Sequence, residues 1–417
     1  MFKEKRSYFF ILIFVLPIGN SLFPIIALMI LSFFSFNTKA SAATMTNSSC
    51  MKFYSNRYAK EQVGNLIQEK FVIDMTSSTS ETISLDVPKG TGSVHINILG
   101  SDKQIYLIKS LSDPDGYELV MENMQKISTP SKEYQQSLQK LLGNSPDAMA
   151  AFLSPVRSIP GFFNGFASLA LTSEISGGFK IKPGRYTFKI AALIEDKFKD
   201  HSVSIRVTYK PQMPKRAPAI LPLRILFSGA REWNEKHSEF HEVITRVNRI
   251  LEPANVKVVI DETAEIADNL IVDSDRQILS LFGKNHQTKR PVLNVFLAKE
   301  TYLESYGRVY GFSPGIPGPL TESNFKNFGV ILGIGETFTQ PPHELAIVLT
   351  HEILHYLGLS HTYEINSTIH DLYTDTNSNE GSSNIMDPIP SRVLEYPELS
   401  KMQANELRHH PLVILSK

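Results

Sequence analysis

Apolar and polar residues alternate in short runs between about Phe71 and Tyr209. Ile83-Ser84-Leu85-Asp86-Val87, Val94-His95-Ile96-Asn97-Ile98, Tyr186 to Ile190 and Val203 to Val207 each place every second side chain on one face. That two-residue period is the mark of a strand with one buried face. Ile105 to Ile108 reads as another strand, and Asp115-Gly116 and Pro183-Gly184 supply turn chemistry between strands. The region therefore predicts half-buried antiparallel strands, and residues 44–210 read as a β-sandwich. Ser131 to Leu142 reads as a helix, and the Pro- and Gly-bearing stretch after it reads as an insertion. Pro211 to Pro218, with three prolines and several basic residues, reads as a semi-stiff linker.

Residues 219–417 follow a different rhythm. A strand at Leu223 to Phe227 precedes a long amphipathic helix, with Trp233, Phe240, Val243, Ile244, Val247, Ile250 and Leu251 at three- and four-residue steps and a stop at Pro253. Strands follow at Val256 to Ile260 and Val292 to Ala298. A Gly/Pro-rich loop from Gly311 to Leu320 and a strand from Gly329 to Leu332 lead into a helix from about Pro342 to Leu357. That helix carries Leu345, Ile347, Val348 and Leu349 and is apolar enough to be buried. The predicted fold class is α+β multidomain: an N-terminal antiparallel β-sandwich, then an α/β domain with a twisted sheet and one buried helix.

The chemistry is concentrated at the end of that helix. His351 to His361 reads His-Glu-Ile-Leu-His-Tyr-Leu-Gly-Leu-Ser-His. Positions four apart share a helix face, so His351 and His355 can aim at one metal ion, with Glu352 beside them. Gly358 can take the left-handed backbone that ends a helix, which lets the chain turn and bring His361 back as a third ligand. Three protein ligands leave a fourth position for water, the arrangement of a catalytic Zn²⁺ site. His241-Glu242 and His343-Glu344 are also His-Glu pairs, but neither has a second His four residues after the first. Ser383-Asn384-Ile385-Met386-Asp387-Pro388 then reads as a tight turn carrying a methionine.

With that turn, roughly the last 200 residues resemble the metzincin clan of zinc endopeptidases, whose motif H-E-x-x-H-x-x-G-x-x-H is followed by a Met-turn. The resemblance implies a metzincin-like catalytic domain over residues 219–417, with zinc on His351, His355 and His361 and with Glu352 as general base. It also implies that Met386 forms an apolar floor below the histidines. It does not select a family within the clan. Pro388-Ile389-Pro390-Ser391 stands where some members carry a Tyr, so no such Tyr is carried over, and Tyr396 is only distant. Leu399-Ser400-x-x-Gln403 looks like the start of the C-terminal helix of matrixin-like and pappalysin-like enzymes, and Ser400 with Gln403 forms a capping box. The sandwich resembles jelly-roll or pre-peptidase modules of secreted bacterial proteases; pro-domain, targeting module and spacer are its open roles. Substrate is expected extended along a sheet edge, at Tyr306 to Phe312 or Gly329 to Leu332.

The remaining features refine this picture. Lys3, Lys5 and Arg6, an apolar run from Tyr8 to Phe36 and Ala40-Ser41-Ala42-Ala43 describe a secretory signal over residues 1–43, with a retained membrane anchor at 8–36 as the alternative. The chain is thus expected to be secreted or extracytoplasmic, acting on a protein or peptide. One cysteine, Cys50, excludes an intramolecular disulfide; a cysteine switch, a lipid attachment and an incidental residue stay open for it. The 42 basic and 42 acidic side chains balance, and no basic tract suits a nucleic-acid partner; Lys215-Arg216 reads as linker or processing site. Asp371, Asp375, Asn377, Asn379 and Glu380 offer oxygens for Ca²⁺, but their spacing departs from the EF-hand and a solvated polar loop is the competing reading. Two rival functions remain: a secreted adhesion protein with a silent metalloprotease-like domain, and an archaemetzincin-like aminopeptidase, which would need cysteine ligands this chain lacks. The oligomeric state is not legible.

Overall fold

The computed structural model describes residues 59–416 except 64, 128–129, 173–178, 194–197, 215, 229–237, 267–270, 273, 284–290, 304–306, 321–327, 335–340, 366–367, 377–382 and 390–396. The leader 1–43, Cys50, Lys215, Trp233, Tyr306, Asn377, Asn379, Glu380 and Tyr396 lie outside the described residues.

The first half builds two antiparallel sheets from β1 (Ala59–Val63), β2 (Leu66–Met75), β3 (Ile83–Val87), β4 (Thr91–Leu99), β5 (Ile105–Ser112), β6 (Glu118–Val120), β7 (Phe166–Thr172), β8 (Gly184–Leu193) and β9 (His201–Pro211). One sheet runs β1-β2-β9-β4-β7 and the other β3-β8-β5-β6. Their facing residues share one apolar core: Val94, Ile96 and Ile98 from β4 and Ile205 and Val207 from β9 on one side, Leu85, Leu107, Phe188 and Ile190 on the other. Two helices, α1 (Lys132–Leu142) and α2 (Pro146–Leu153), are inserted between β6 and β7, each opened by a serine side chain, Ser131 or Ser145, that accepts a backbone N–H. The stretch read as an insertion contains the helix α2, which Pro146 at the first helical position helps to start.

The second half is a mixed sheet flanked by helices. Its elements are β10 (Ala219–Ser228), α3 (Ser238–Ile250), β11 (Val256–Ile266), β12 (Ile271–Val272), α4 (Asp275–Gly283), β13 (Leu293–Ala298), β14 (Glu300–Leu303), β15 (Gly307–Val309), β16 (Gly311–Phe312), β17 (Gly329–Gly333), α5 (Pro342–Tyr356), α6 (Lys401–His409) and β18 (Ile414–Leu415). The main sheet has the order β11-β10-β13-β17-β16, with β18 on β10; β11, β10, β13 and β17 run parallel and β16 antiparallel. Strands buried on both faces read as continuous apolar runs, as Val295 to Ala298 does. Beneath this sheet α5 is buried from Leu345 to Tyr356 and packs against α3.

The polar face of β3 is exposed at Ser84 and Asp86, but β4 and β9 do not leave theirs in water. Ser93, His95 and Asn97 on β4 and Arg206, Thr208 and Lys210 on β9 are all buried. Across much of that face lies the end of the chain. The Lys210 ammonium donates to the carbonyls of Arg408, His410 and Val413 at 2.6, 2.8 and 2.5 Å, and the His95 ring meets His410 edge-on at 5.1 Å. Thr172 donates to the Glu406 carboxylate at 2.5 Å. Arg408 in turn donates to the carbonyls of Ala254, Asn255, Pro214 and Ala217, which pins the 211–218 stretch between the two halves. At Ser93 and Lys210 the polar period therefore marks a buried, hydrogen-bonded seam, because the covering layer supplies carbonyls that water would otherwise provide, whereas the buried side-chain polar atoms of His95, Asn97 and Thr208 have no hydrogen-bond partner.

Two outcomes are expected from this seam. Lys210→Met keeps the apolar stem but strands three buried carbonyls, and a loss of about 3 kcal/mol in denaturant unfolding is expected; an unchanged midpoint would remove the seam from the stability account. His95, fully enclosed, is lowered by burial from 6.5 to about 3. Between those values the unfolded chain binds the proton and the folded chain does not, so stability rises with pH through that window. Acidification from pH 6.5 to pH 5 is expected to cost roughly 2 kcal/mol through His95, and melting curves of His95→Asn should show a correspondingly flatter acid limb.

Candidate metal centre

The helix α5 ends one residue beyond its second histidine-bearing turn. Gly358 has φ +113°, its N–H donates to the carbonyl of His355 at 2.9 Å, and the N–H of Leu359 donates to the carbonyl of Leu354 at 3.0 Å. This pair of bonds is a Schellman termination, which needs a residue without Cβ at the positive-φ position. The reversal carries the chain back, and the N–H of Thr362 bonds the carbonyl of Met386 at 3.0 Å. His361 is thereby held beside His351 and His355.

The three rings meet at one point. Nε2 of His351 and Nε2 of His355 are 2.8 Å apart, and Nε2 of His355 and Nε2 of His361 are 3.1 Å apart. Every Nδ1 is turned outward onto an oxygen: His351 to the carbonyl of Ile385 at 2.7 Å, His355 to the carbonyl of Leu359 at 2.7 Å, and His361 to the Glu364 carboxylate at 3.3 Å. A carbonyl can only accept, so it fixes the proton on Nδ1 and leaves the Nε2 lone pair free. Burial first, and then the neighbouring imidazoles, hold His351 and His355 well below the usual histidine range, so both rings are neutral at pH 7. Converging lone pairs without a shared proton repel one another unless a cation lies between them. The donor set therefore fits a divalent metal of the zinc type, with its outer oxygens orienting each ligand. Among the described residues, these three form the one His/Cys/Asp/Glu group compact enough to hold a metal, with ligand atoms within 4.8 Å of one another.

Glu352, the residue after His351 on α5, is almost without solvent exposure, and burial pushes its carboxyl up to about 8. A dication nearby would oppose that shift by favouring the carboxylate. The edge strand β16 runs directly over this side chain. A Cβ built on Gly311 would sit 2.7 Å from Glu352 Cγ and 3.0 Å from its Oε1, so only glycine allows this approach.

The methionine turn is wired to the ligands through its backbone. Ile385 supplies the carbonyl that orients His351, and Met386, fully buried, supplies the one that holds Thr362 next to His361. Asn384 closes the turn by accepting from the N–H of Met386 at 2.8 Å, and its amide exchanges two hydrogen bonds with Gln403. Gln403 also completes the capping box with Ser400 on α6. One residue thus starts the C-terminal helix and braces the turn.

Other sequence expectations come out differently. Of the two candidate edges, Gly329–Gly333 is an interior strand between β13 and β16, and residues 307–309 belong to a separate three-stranded sheet; Gly311–Phe312 is the outer strand. The calcium reading is not supported. Asp371 is buried and accepts from Thr376 and the N–H of Tyr373, while Asp375 accepts from the Ser400 hydroxyl and the N–H of Met402 at the start of α6. These carboxylates serve as local caps, Asp371 in a buried setting and Asp375 in an exposed one. His241 and His343 lie away from the centre, as their spacing implied. Glu364 was not singled out; its signal is a carboxylate three residues after the third histidine. Gly358→Ala should cost about 1–3 kcal/mol through backbone strain and weaken zinc binding by moving His361. Chelator competition and melting curves check both, and a variant with wild-type affinity would show that this turn does not position the third ligand.

No family model matches the chain, and no curated protein matches it. Among solved structures it is similar to metalloproteinase-II from Bacteroides fragilis, with 13% identity and a TM-score of 0.32 over 49% of this chain and 62% of that one. It is similar to archaemetzincin from Methanopyrus kandleri, with 14% identity and a TM-score of 0.30 over 48% of this chain and 98% of that one. A cyanophage Pam1 capsid structure aligns at 15% identity with a TM-score of 0.19 over 40% of this chain and 98% of that one. The chain thus spans less than two thirds of the length of the Bacteroides protein, and with TM-scores this low the functional reading rests on the site's own geometry.

Proposed function

We propose that this chain is a secreted zinc-dependent endopeptidase of metzincin type, a β-sandwich over residues 44–210 joined to a catalytic domain over residues 219–417. The observation that carries this reading is the convergence of three Nε2 atoms from His351, His355 and His361, with Glu352 the next residue after His351 on the same buried helix. Zinc bound there would act as a Lewis acid, acidifying a water molecule and polarising a peptide carbonyl.

The protein's own part is positioning and proton transfer. Glu352 accepts a proton from the attacking water at its carboxylate and returns it to the leaving amine nitrogen. Its near-complete burial suits this exchange, because bulk water does not compete for the proton between the two steps. The outer side of β16 is unpaired among the described strands, so a peptide can add there as an antiparallel strand. Gly311 brings that edge against Glu352, which would lay the scissile bond next to the base. Met386 serves as the apolar floor. Secretion is supported by the basic start, apolar run and small-residue site of residues 1–43. No helix among the described residues is long and apolar enough to cross a membrane, and the 8–36 segment lies outside them.

Glu352→Gln tests the assignment. The variant is expected to retain about one zinc per chain by elemental analysis, because the ligands are intact, and to lose at least about two orders of magnitude in cleavage of an unfolded protein substrate. Turnover near that of the parent would show that Glu352 is not the base.

A further inference from the structure

The insertion that carries α1 and α2 reaches the segment behind the third histidine. Arg157, just past the end of α2, donates to the carbonyl of His370 at 2.6 Å, and its guanidinium lies 4.5 Å from the centre of the Phe152 ring. Ile369, the residue before His370, is buried in the N-terminal apolar core with Leu142, Phe152 and Val156. A segment of the second half is thus gripped by the first half at one side chain and one carbonyl.

That segment also carries the anchor of the third ligand. Residues 362–364 and 369–371 run antiparallel: the N–H of Glu364 donates to the carbonyl of Ile369 at 2.8 Å, the N–H of Asp371 donates to the carbonyl of Thr362 at 3.3 Å, and Tyr363 pairs with His370. Arms tied in this way move together, so fixing His370 also places Glu364, whose carboxylate takes the Nδ1 proton of His361 at 3.3 Å. The other two rings are oriented differently. Their acceptors, the carbonyls of Ile385 and Leu359, belong to the second half itself. Of the three anchors, Glu364 is the one on a segment that the N-terminal half holds.

Arg157, His361 and Glu364 also line one crevice of about 30 Å³. That is space for about two waters, so no larger group comes between the guanidinium and the anchor. Burial disfavours the Arg157 cation, and the Asp371 and Glu364 carboxylates are among the groups that oppose this effect. We propose that Arg157 is a positioning residue of the metal centre: through the His370 carbonyl it fixes the arm that bears Glu364, and the N-terminal half thereby sets the orientation of His361 and the affinity for zinc. The inference rests on the zinc reading of the site above. It makes the N-terminal half a working part of the metal centre, whatever its role toward substrate.

The test measures zinc affinity of the full chain by chelator competition, together with melting curves and the visible absorption of the Co²⁺-substituted protein, which reports ligand geometry. Arg157→Met keeps an apolar stem over Phe152 and removes the donor; it is expected to weaken zinc binding by about fivefold or more and to change the Co²⁺ bands. Glu364→Ala removes the anchor and is expected to weaken binding by about tenfold or more. Because Arg157 acts through Glu364, adding Arg157→Met to Glu364→Ala should change affinity by less than about twofold. Arg157→Lys, which keeps a cationic donor, should recover part of the loss. If Arg157→Met does not fold, Arg157→Gln carries the same comparison, with the same drop and the same non-additivity expected. A lower melting temperature with the parent's zinc affinity and Co²⁺ bands would make the contact structural only and overturn the proposal, and so would full additivity with Glu364→Ala. Either result leaves the peptidase reading in place when the parent cleaves peptides in a chelator-sensitive way. A parent that binds zinc without cleaving any peptide overturns the peptidase reading alone, and a parent that binds no zinc overturns both.

Discussion

Three ring nitrogens brought to one point, with Nε2 of His355 2.8 Å from that of His351 and 3.1 Å from that of His361, are the constraint on which the site depends. Neutral acceptors in contact are unfavourable by themselves, so the surrounding chain must hold them there. It does so through the far side of each ring. Two backbone carbonyls and one carboxylate take the Nδ1 protons, and each comes from a different segment: the methionine turn, the helix end and the loop after the third ligand. A metal would meet rings already oriented, so little order would have to be created on binding. The turn after α5, the brace at Asn384 and Gln403 and the glycine of β16 all serve the same placement.

A second constraint concerns how the two halves meet. The outer polar face of the five-stranded sheet is buried under the end of the chain, where Lys210 and Arg408 together satisfy seven backbone carbonyls. Buried cations without acceptors would be costly, and carbonyls at the end of α6 without donors would be costly too. Each side resolves the other's deficit. This explains why residues 211–218, rich in proline and basic side chains, are fixed in place: their carbonyls are among the acceptors. The same docking carries the α1–α2 insertion to the metal centre, so the seam has a consequence for the site as well as for stability.

Much of the local structure was legible from residue order, because it depends on neighbours in the chain. The strand periods fall within β3, β4, β5, β8 and β9, Ser131 caps α1, and Ser400 with Gln403 caps α6. The spacing of His351, His355 and His361 implied a common ligand point, and Gly358 implied the helix end that makes it possible; both depend on helix geometry and on the steric freedom of one glycine. What only the tertiary structure decided is which distant groups complete these local pieces. Period alone says that one strand face differs from the other, but not whether water or protein covers the polar one: water does on β3, protein on β4 and β9. It cannot tell an edge from an interior strand, since pairing partners lie far apart in sequence, and β17 proved interior while two residues of β16 form the edge. Acidic residues after the third histidine look alike in sequence; their neighbours in space make Glu364 a ring anchor and Asp375 a helix cap. Local sterics and spacing therefore set the helix, its end and the ligand pattern, whereas long-range packing set the orientation of the ligands and the wall that the N-terminal half presents to them.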